Sequence, residues 1–97
     1  MTALDRYVRL ESGGLWRPEP DAQRRDVVIS FGDATLVIAD GAGRPLAHWS
    51  LPALERQNPD AMPAIYAPDD DASEIVEIAD DTMVAAIEEI RAALLKS

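Results

Sequence analysis

The stretch Asp26-Val27-Val28-Ile29-Ser30-Phe31-Gly32-Asp33-Ala34-Thr35-Leu36-Val37-Ile38-Ala39-Asp40 decides the fold. Two β-branched and apolar runs, 27–31 and 34–39, flank Gly32-Asp33. A two-residue Gly-X connection suits a hairpin turn of type II′, because glycine takes the positive φ required at the first central position. With Phe31 opposite Ala34, Ile29 faces Leu36 and Val27 faces Ile38. These apolar residues then share one side of the ribbon. Val28 with Val37 and Ser30 with Thr35 take the other side.

Outward from this hairpin the chain reads as short strands. Gly14-Leu15-Trp16-Arg17 forms a strand ended by Pro18 and Pro20, with a polar loop over 18–25. After the glycine-rich loop 40–45, residues 46–51 continue the meander. Their alternation sets Ala47, Trp49 and Leu51 on one face and Leu46, His48 and Ser50 on the other. Residues 54–57 read as a further short strand, and 74–78 as the last one. Residues 64–67 lie between Pro63 and Pro68, which predicts an edge strand. Asp80 and Asp81 provide an N-cap for a helix over 82–96. Met83, Ile87, Ile90 and Leu94, spaced four, three and four apart, form its apolar stripe, with Glu88, Glu89 and Arg91 on the wet side. At the N-terminus, Thr2 and Asp5 fit a capping box, and Leu4, Tyr7, Val8 and Leu10 fall at helical spacing before Gly13-Gly14. A strand over 7–11 fits that stretch as well.

The expected class is therefore a small, mainly β domain of six to seven antiparallel strands capped by a C-terminal α-helix. The 97 residues suit a single domain, with 1–13 a helix or extension, 14–79 the strands and 80–97 the helix. A chain of this length buries only roughly 60–65% of its unfolded surface, which leaves little room for a deep cavity.

Charge narrows the range of functions. The net charge is −9, and it is uneven. Residues 1–56 hold seven arginines against eight acids; residues 57–97 hold ten acids against Arg91 and Lys96. Such a chain repels a phosphate backbone and has no basic stripe, so no nucleic-acid partner is expected. It has no cysteine, which removes disulfides, thiolate chemistry and Cys-based metal sites. No apolar run approaches the roughly 18–20 residues of a membrane span, and the first residues lack the layout of a signal peptide. A cytoplasmic chain that does not itself insert into a membrane is expected.

The reactive residue types suggest no catalytic or metal centre, and no cofactor is expected. His48, the only histidine, lies in mid-strand beside Trp49, and the neighbouring hydroxyls Ser30, Thr35 and Ser50 lack a glycine-flanked nucleophile elbow. Asp69-Asp70-Asp71 with Glu74 lacks the alternate acids, central glycine and final glutamate of a calcium loop, and reads as a solvated turn. Gly41-Ala42-Gly43 has neither the helix N-terminus nor the lysine of a phosphate cradle. Trp16 and Trp49 read as core residues with hydrogen-bonded indoles at the rim rather than as a ligand platform.

Six or seven short strands in a meander followed by one closing helix is an element order that resembles the pleckstrin-homology-like barrel over residues 14–97. The chain is also similar to the N-terminal region of a group of alphaproteobacterial proteins, through Gly14-Leu15-Trp16-Arg17-Pro18 and residues 27–38, 48–55 and 77–91. Members of that group continue into a membrane-anchored part, so the resemblance implies the cytosolic-side domain of an anchored protein. The barrel resemblance implies two binding modes. A peptide would add as a strand beside the helix, using Leu54, Arg56, Ile87 and Ile90 as a groove. Alternatively, Arg17, Arg24 and Arg25, which flank the first strand-to-strand loop, would hold an anionic lipid headgroup. Glu19, Asp21 and Asp26 interleave with those arginines and oppose the second mode. A protein-interaction or scaffolding module with a protein or peptide partner is the preferred expectation, with a homodimer through an exposed sheet edge as a variant of it.

Overall fold

In the computed structural model, which describes residues 3–96, seven antiparallel strands form one curled sheet in the order β4-β3-β2-β1-β7-β6-β5. The elements are α1 (Ala3–Arg6), β1 (Ser12–Arg17), β2 (Arg25–Phe31), β3 (Thr35–Ala39), β4 (Pro45–Ser50), a 3-10 turn (Leu51–Ala53), β5 (Glu55–Arg56), β6 (Ala64–Ala67), β7 (Ile75–Ile78) and α2 (Asp81–Lys96). The sheet is a half-barrel: β1 to β4 form one meander, β5 to β7 another, and β1 joins them. β1 pairs with β2 from Ser12↔Ile29 to Trp16↔Arg25, and with β7 from Leu15↔Glu77 to Arg17↔Ile75. The mainly β class with a C-terminal helix is as expected from the sequence.

Alternation sends Val27, Ile29, Phe31, Leu36, Ile38, Trp49, Tyr66, Val76 and Ile78 to the inner face, and α2 covers that face. Met83, Ile87 and Ile90 are buried, and Leu94 packs partly against the same core. Burying each such side chain contributes about 1.5–3 kcal/mol. The helix starts at Asp81, one residue earlier than its periodicity suggests, because Asp80 supplies the cap: its Oδ1 accepts from the Met83 amide at 2.9 Å. At the other terminus α1 is a single turn, and Leu4, Tyr7 and Leu10 lean on the core while Val8 is exposed. Thr2 of the expected capping box lies outside the described residues.

Three expectations are corrected. The hairpin turn is Asp33-Ala34, not Gly32-Asp33. Phe31 pairs with Leu36, Ser30 with Val37 and Ile29 with Ile38, and the Gly32 amide donates to the Thr35 carbonyl at 2.9 Å. The register therefore moves by two residues. That keeps each side chain on its expected face, but Ser30 and Thr35 are not opposite one another. The positive φ, 56°, belongs to Ala34. Gly32 is needed for space instead, since a Cβ there would lie 2.6 Å from Thr35 Oγ1.

The second correction concerns the start of β1, which includes Gly13-Gly14 rather than following them. A Cβ at Gly14 would sit 3.0 Å from Ile29 Cγ1 and 3.2 Å from the Glu77 carbonyl, so this glycine lets β1 approach both neighbours. Third, residues 64–67 are an internal strand between β7 and β5. Pro63 and Pro68 bound β6 instead of entering its ladder. Where β5 is too short to cover it, Asn58 Oδ1 accepts the Ile65 amide at 2.8 Å and the Gln57 amide donates to the Ile65 carbonyl at 2.8 Å.

The hairpin geometry gives opposite expectations for two small substitutions. Gly32→Ala crowds Thr35 and costs about 1–3 kcal/mol. Ala34→Gly removes an L-residue from the left-handed region and is neutral or stabilising by up to about 1 kcal/mol. Chemical denaturation of both variants checks the pair; a reversed order would return the positive φ to Gly32.

Candidate interaction surface

The expected groove beside the helix does not exist as a surface. Leu54, Ile87 and Ile90 are 1%, 0% and 1% exposed and belong to the core. Arg56 is held within the β5–β6 connection: its Nη2 donates to the Ala61 carbonyl at 3.0 Å, and its guanidinium lies 5.9 Å from the Tyr66 ring centroid. The reason is the corner between β4 and β5, the two ends of the sheet. The 3-10 turn crosses it and α2 packs on that turn, so the space a peptide would use is filled by the protein itself.

Two helix residues placed on the wet side by periodicity serve this corner. Arg91 donates through Nε to the Leu51 carbonyl at 3.3 Å and through Nη2 to the Leu54 carbonyl. Glu88 accepts the hydroxyl of fully buried Tyr66 at 2.6 Å and lies 3.7 Å from Arg91 Nη1. Burial, then the Glu88 hydrogen bond, raises the Tyr66 pKa above its ordinary value. This network satisfies backbone carbonyls where the ladder ends, which would otherwise be costly to bury.

The three arginines do not converge. Arg24 Nε lies 2.8 Å from Glu77 Oε2, and Arg25 Nη2 lies 4.0 Å from Asp40 Oδ2. Arg25 stands opposite Trp16 and so shares its face, whereas Glu77 stands opposite Leu15 on the other. Arg17 is half-buried opposite Ile75, and its Nε has no hydrogen-bond partner among the described residues. Neighbouring arginines thus go to different acids.

The remaining reactive residues are placed as follows. His48 is exposed on β4 opposite Val37. Asp69 and Asp71 accept the amides of Asp71 and Ser73, at 2.8 and 3.1 Å, and so hold a local turn. Among the described residues no three His, Asp or Glu side chains are grouped to hold a metal ion, and no helix is long and apolar enough to cross a membrane. Trp16 meets its rim expectation, donating from Nε1 to Glu74 Oε2 at 2.9 Å; the Trp49 indole N–H is buried without an acceptor among the described residues.

Both sheet edges are guarded. β5 is two charged residues long. β4 opens on Pro45, carries a bulge at Leu46 where its pairing shifts beside Ile38 and Ala39, and ends in the 3-10 turn. Thr35 turns its carbonyl to Gly32, so Leu36 and Trp49 face each other and only His48 and Ser50 direct backbone groups away from the sheet beyond the bulge. Proline, a bulge and short length are the devices that discourage strand addition.

What stays open is the outer face of the sheet. Leu15 is 37% exposed, and Val28, Val37 and Ile65 are half-buried there. Gly13, exposed in the middle of β1, leaves a gap in which a Cβ would meet nothing within 4 Å. Two hollows adjoin across the Gly13↔Val28 pair. One, about 430 Å³, is lined by Gly13, Leu15, Asp26, Glu77 and Asp80 among others. The other, about 260 Å³, is lined by Glu11, Val28, Ser30, Val37 and Asp40 among others. Sequence reading missed this face because Val28 and Val37 count there only as the outward members of an alternating pattern. Comparison with protein-family models, curated proteins and solved structures finds no match for the chain.

Two stability predictions follow from these contacts. Tyr66→Phe is expected to cost about 1–3 kcal/mol and Arg91→Leu about 2–3 kcal/mol, with the double variant non-additive because both residues act on Glu88; denaturant midpoints of the three proteins check this. At Asp40, the amides of Arg44 and Ala42 both donate to Oδ1 at 2.9 Å, and the Arg44 amide is the leading cause holding this carboxyl below its ordinary value. A folded pKa below the unfolded one gives stability that is present above the unfolded value, near 4, and lost as pH falls through the folded value. Thermal midpoints measured from pH 7 to pH 3 should therefore drop less in Asp40→Asn than in the wild type.

Proposed function

We propose that this protein is a non-catalytic interaction module, and that it docks a partner protein on the outer face of its sheet. The observation that carries this reading is the apolar strip of exposed Leu15 and half-buried Val28 and Val37 around the gap at Gly13, on a sheet whose other face is sealed by α2. Exposed apolar strips bordered by polar residues mark binding surfaces more often than scattered single side chains do. The guarded edges and the filled corner turn the proposal away from strand addition and from a groove beside the helix. The order of seven strands and a closing helix keeps the resemblance to the pleckstrin-homology-like barrel within the proposal, as a scaffold on which recognition varies.

Headgroup binding through Arg17, Arg24 and Arg25 is less favoured, because Arg24 and Arg25 already face Glu77 and Asp40. The test is site-specific photo-crosslinking in cells. A benzophenone side chain at Val37 or Leu15 should give protein adducts, while the same group at exposed Ala92 on α2 should not. Adducts from Ala92 alone would overturn the assignment of the face. Salt-sensitive co-sedimentation with anionic vesicles, lost in Arg24→Glu/Arg25→Glu, would replace it with the headgroup reading.

A further inference from the structure

We infer that the segment this outer face receives is cationic and amphipathic, a stretch of a partner protein carrying lysine or arginine beside apolar side chains. The inference rests on the docking reading above and names the chemistry of the partner. Every charged residue lining the two hollows is acidic: Asp26, Glu77 and Asp80 in one, Glu11 and Asp40 in the other. Asp40 is met by Arg25 and Arg44 and Asp80 caps α2, so Asp26 and Glu11, with Glu77 beside Arg24, are the acids that face a partner. The floors between them are apolar or bare, formed by Leu15, Val28, Val37 and Gly13.

The register makes this arrangement specific. Leu15 stands opposite Asp26 on β2 and opposite Glu77 on β7, so one apolar side chain is straddled by two carboxylates in a single row across three strands. Adjacent strands lie about 4.8 Å apart, which puts the two acids on either side of Leu15 within reach of one long cationic side chain. A lysine or arginine can lay its aliphatic stem on Leu15 and direct its head to either acid. The protein itself places a cation here: the Arg24 guanidinium sits 2.8 Å from Glu77. Arg24 therefore acts as an internal competitor for half of the row, and Asp26 is the half left to a partner. A second copy of the chain is a poor occupant, because each copy carries a net charge of −9.

The test uses the whole chain, a peptide of alternating lysine and leucine, and its glutamate–leucine counterpart, with amide chemical shifts as the readout. The lysine peptide is expected to shift Gly13, Leu15, Val28 and Val37 and to bind more weakly as salt rises; the glutamate peptide is expected not to bind. Asp26→Asn should weaken binding about two- to fivefold, and Arg24→Gln, which frees Glu77, should strengthen it by a similar factor, the worth of one exposed ion pair. Asp70→Asn, in the acidic loop before β7, should leave affinity unchanged. Shifts confined to residues 69–81, equal losses in Asp26→Asn and Asp70→Asn, or binding of the glutamate peptide would overturn the inference. If any of these occurs while crosslinks still form at Val37, the docking face stands and its partner is not cationic. Absence of crosslinks removes both.

Discussion

The rest of the structure depends on β1 pairing along both of its edges. Between Leu15 and Trp16 the strand bonds to β2 on one side and β7 on the other, and among the described residues no other strand joins the two meanders. Each meander alone is a small sheet with one apolar face, too small to bury that face by itself. Joined through β1, they curl around a shared core, and α2 completes the enclosure. Gly14 is what allows the approach, since Ile29 and the Glu77 backbone occupy the space a side chain would need. The same pairing brings Glu77 beside Leu15, so the constraint that makes the fold also assembles the acidic row on its outer surface.

A curled sheet that stops short of closure leaves a corner where backbone groups lack ladder partners. Here the 3-10 turn carries the chain across the corner, and Arg91 takes the carbonyls of Leu51 and Leu54. Tyr66 and Glu88 extend the network into the core. The helix is thereby committed on its apolar stripe and on the flank beside it. The outer face, with its apolar strip and acid-lined hollows, is the surface left uncommitted, which is why the proposed partner is placed there.

Local pattern carried much of the fold. The alternation in β2 and β3 and the stripe Met83-Ile87-Ile90 depend on residues close in sequence, and both hold. The exact hairpin register did not follow, because a shift of two residues leaves the alternation unchanged, and the pairing that distinguishes the observed register, Gly32 with Thr35, is made across the strands. Helical periodicity ranks residues by polarity and so places Arg91 and Glu88 in solvent. Their partners, Leu51, Leu54 and Tyr66, are between 22 and 40 residues away. The groove of Leu54, Ile87 and Ile90 failed for a related reason, since an apolar stripe reads the same whether it lines a groove or is sealed in a core. The outer face lay in the pattern only as the outward members of three strands.

By itself, then, the sequence determined the strands, the helix, the inward set of side chains and the net negative charge, because each depends on spacing along one chain segment or on composition. Tertiary structure alone decided that β1 meets β7, that α2 fills the open corner, and that Asp26, Leu15 and Glu77 fall in one row. These are meetings of residues far apart in the chain, and no periodicity names which distant strand will become a neighbour.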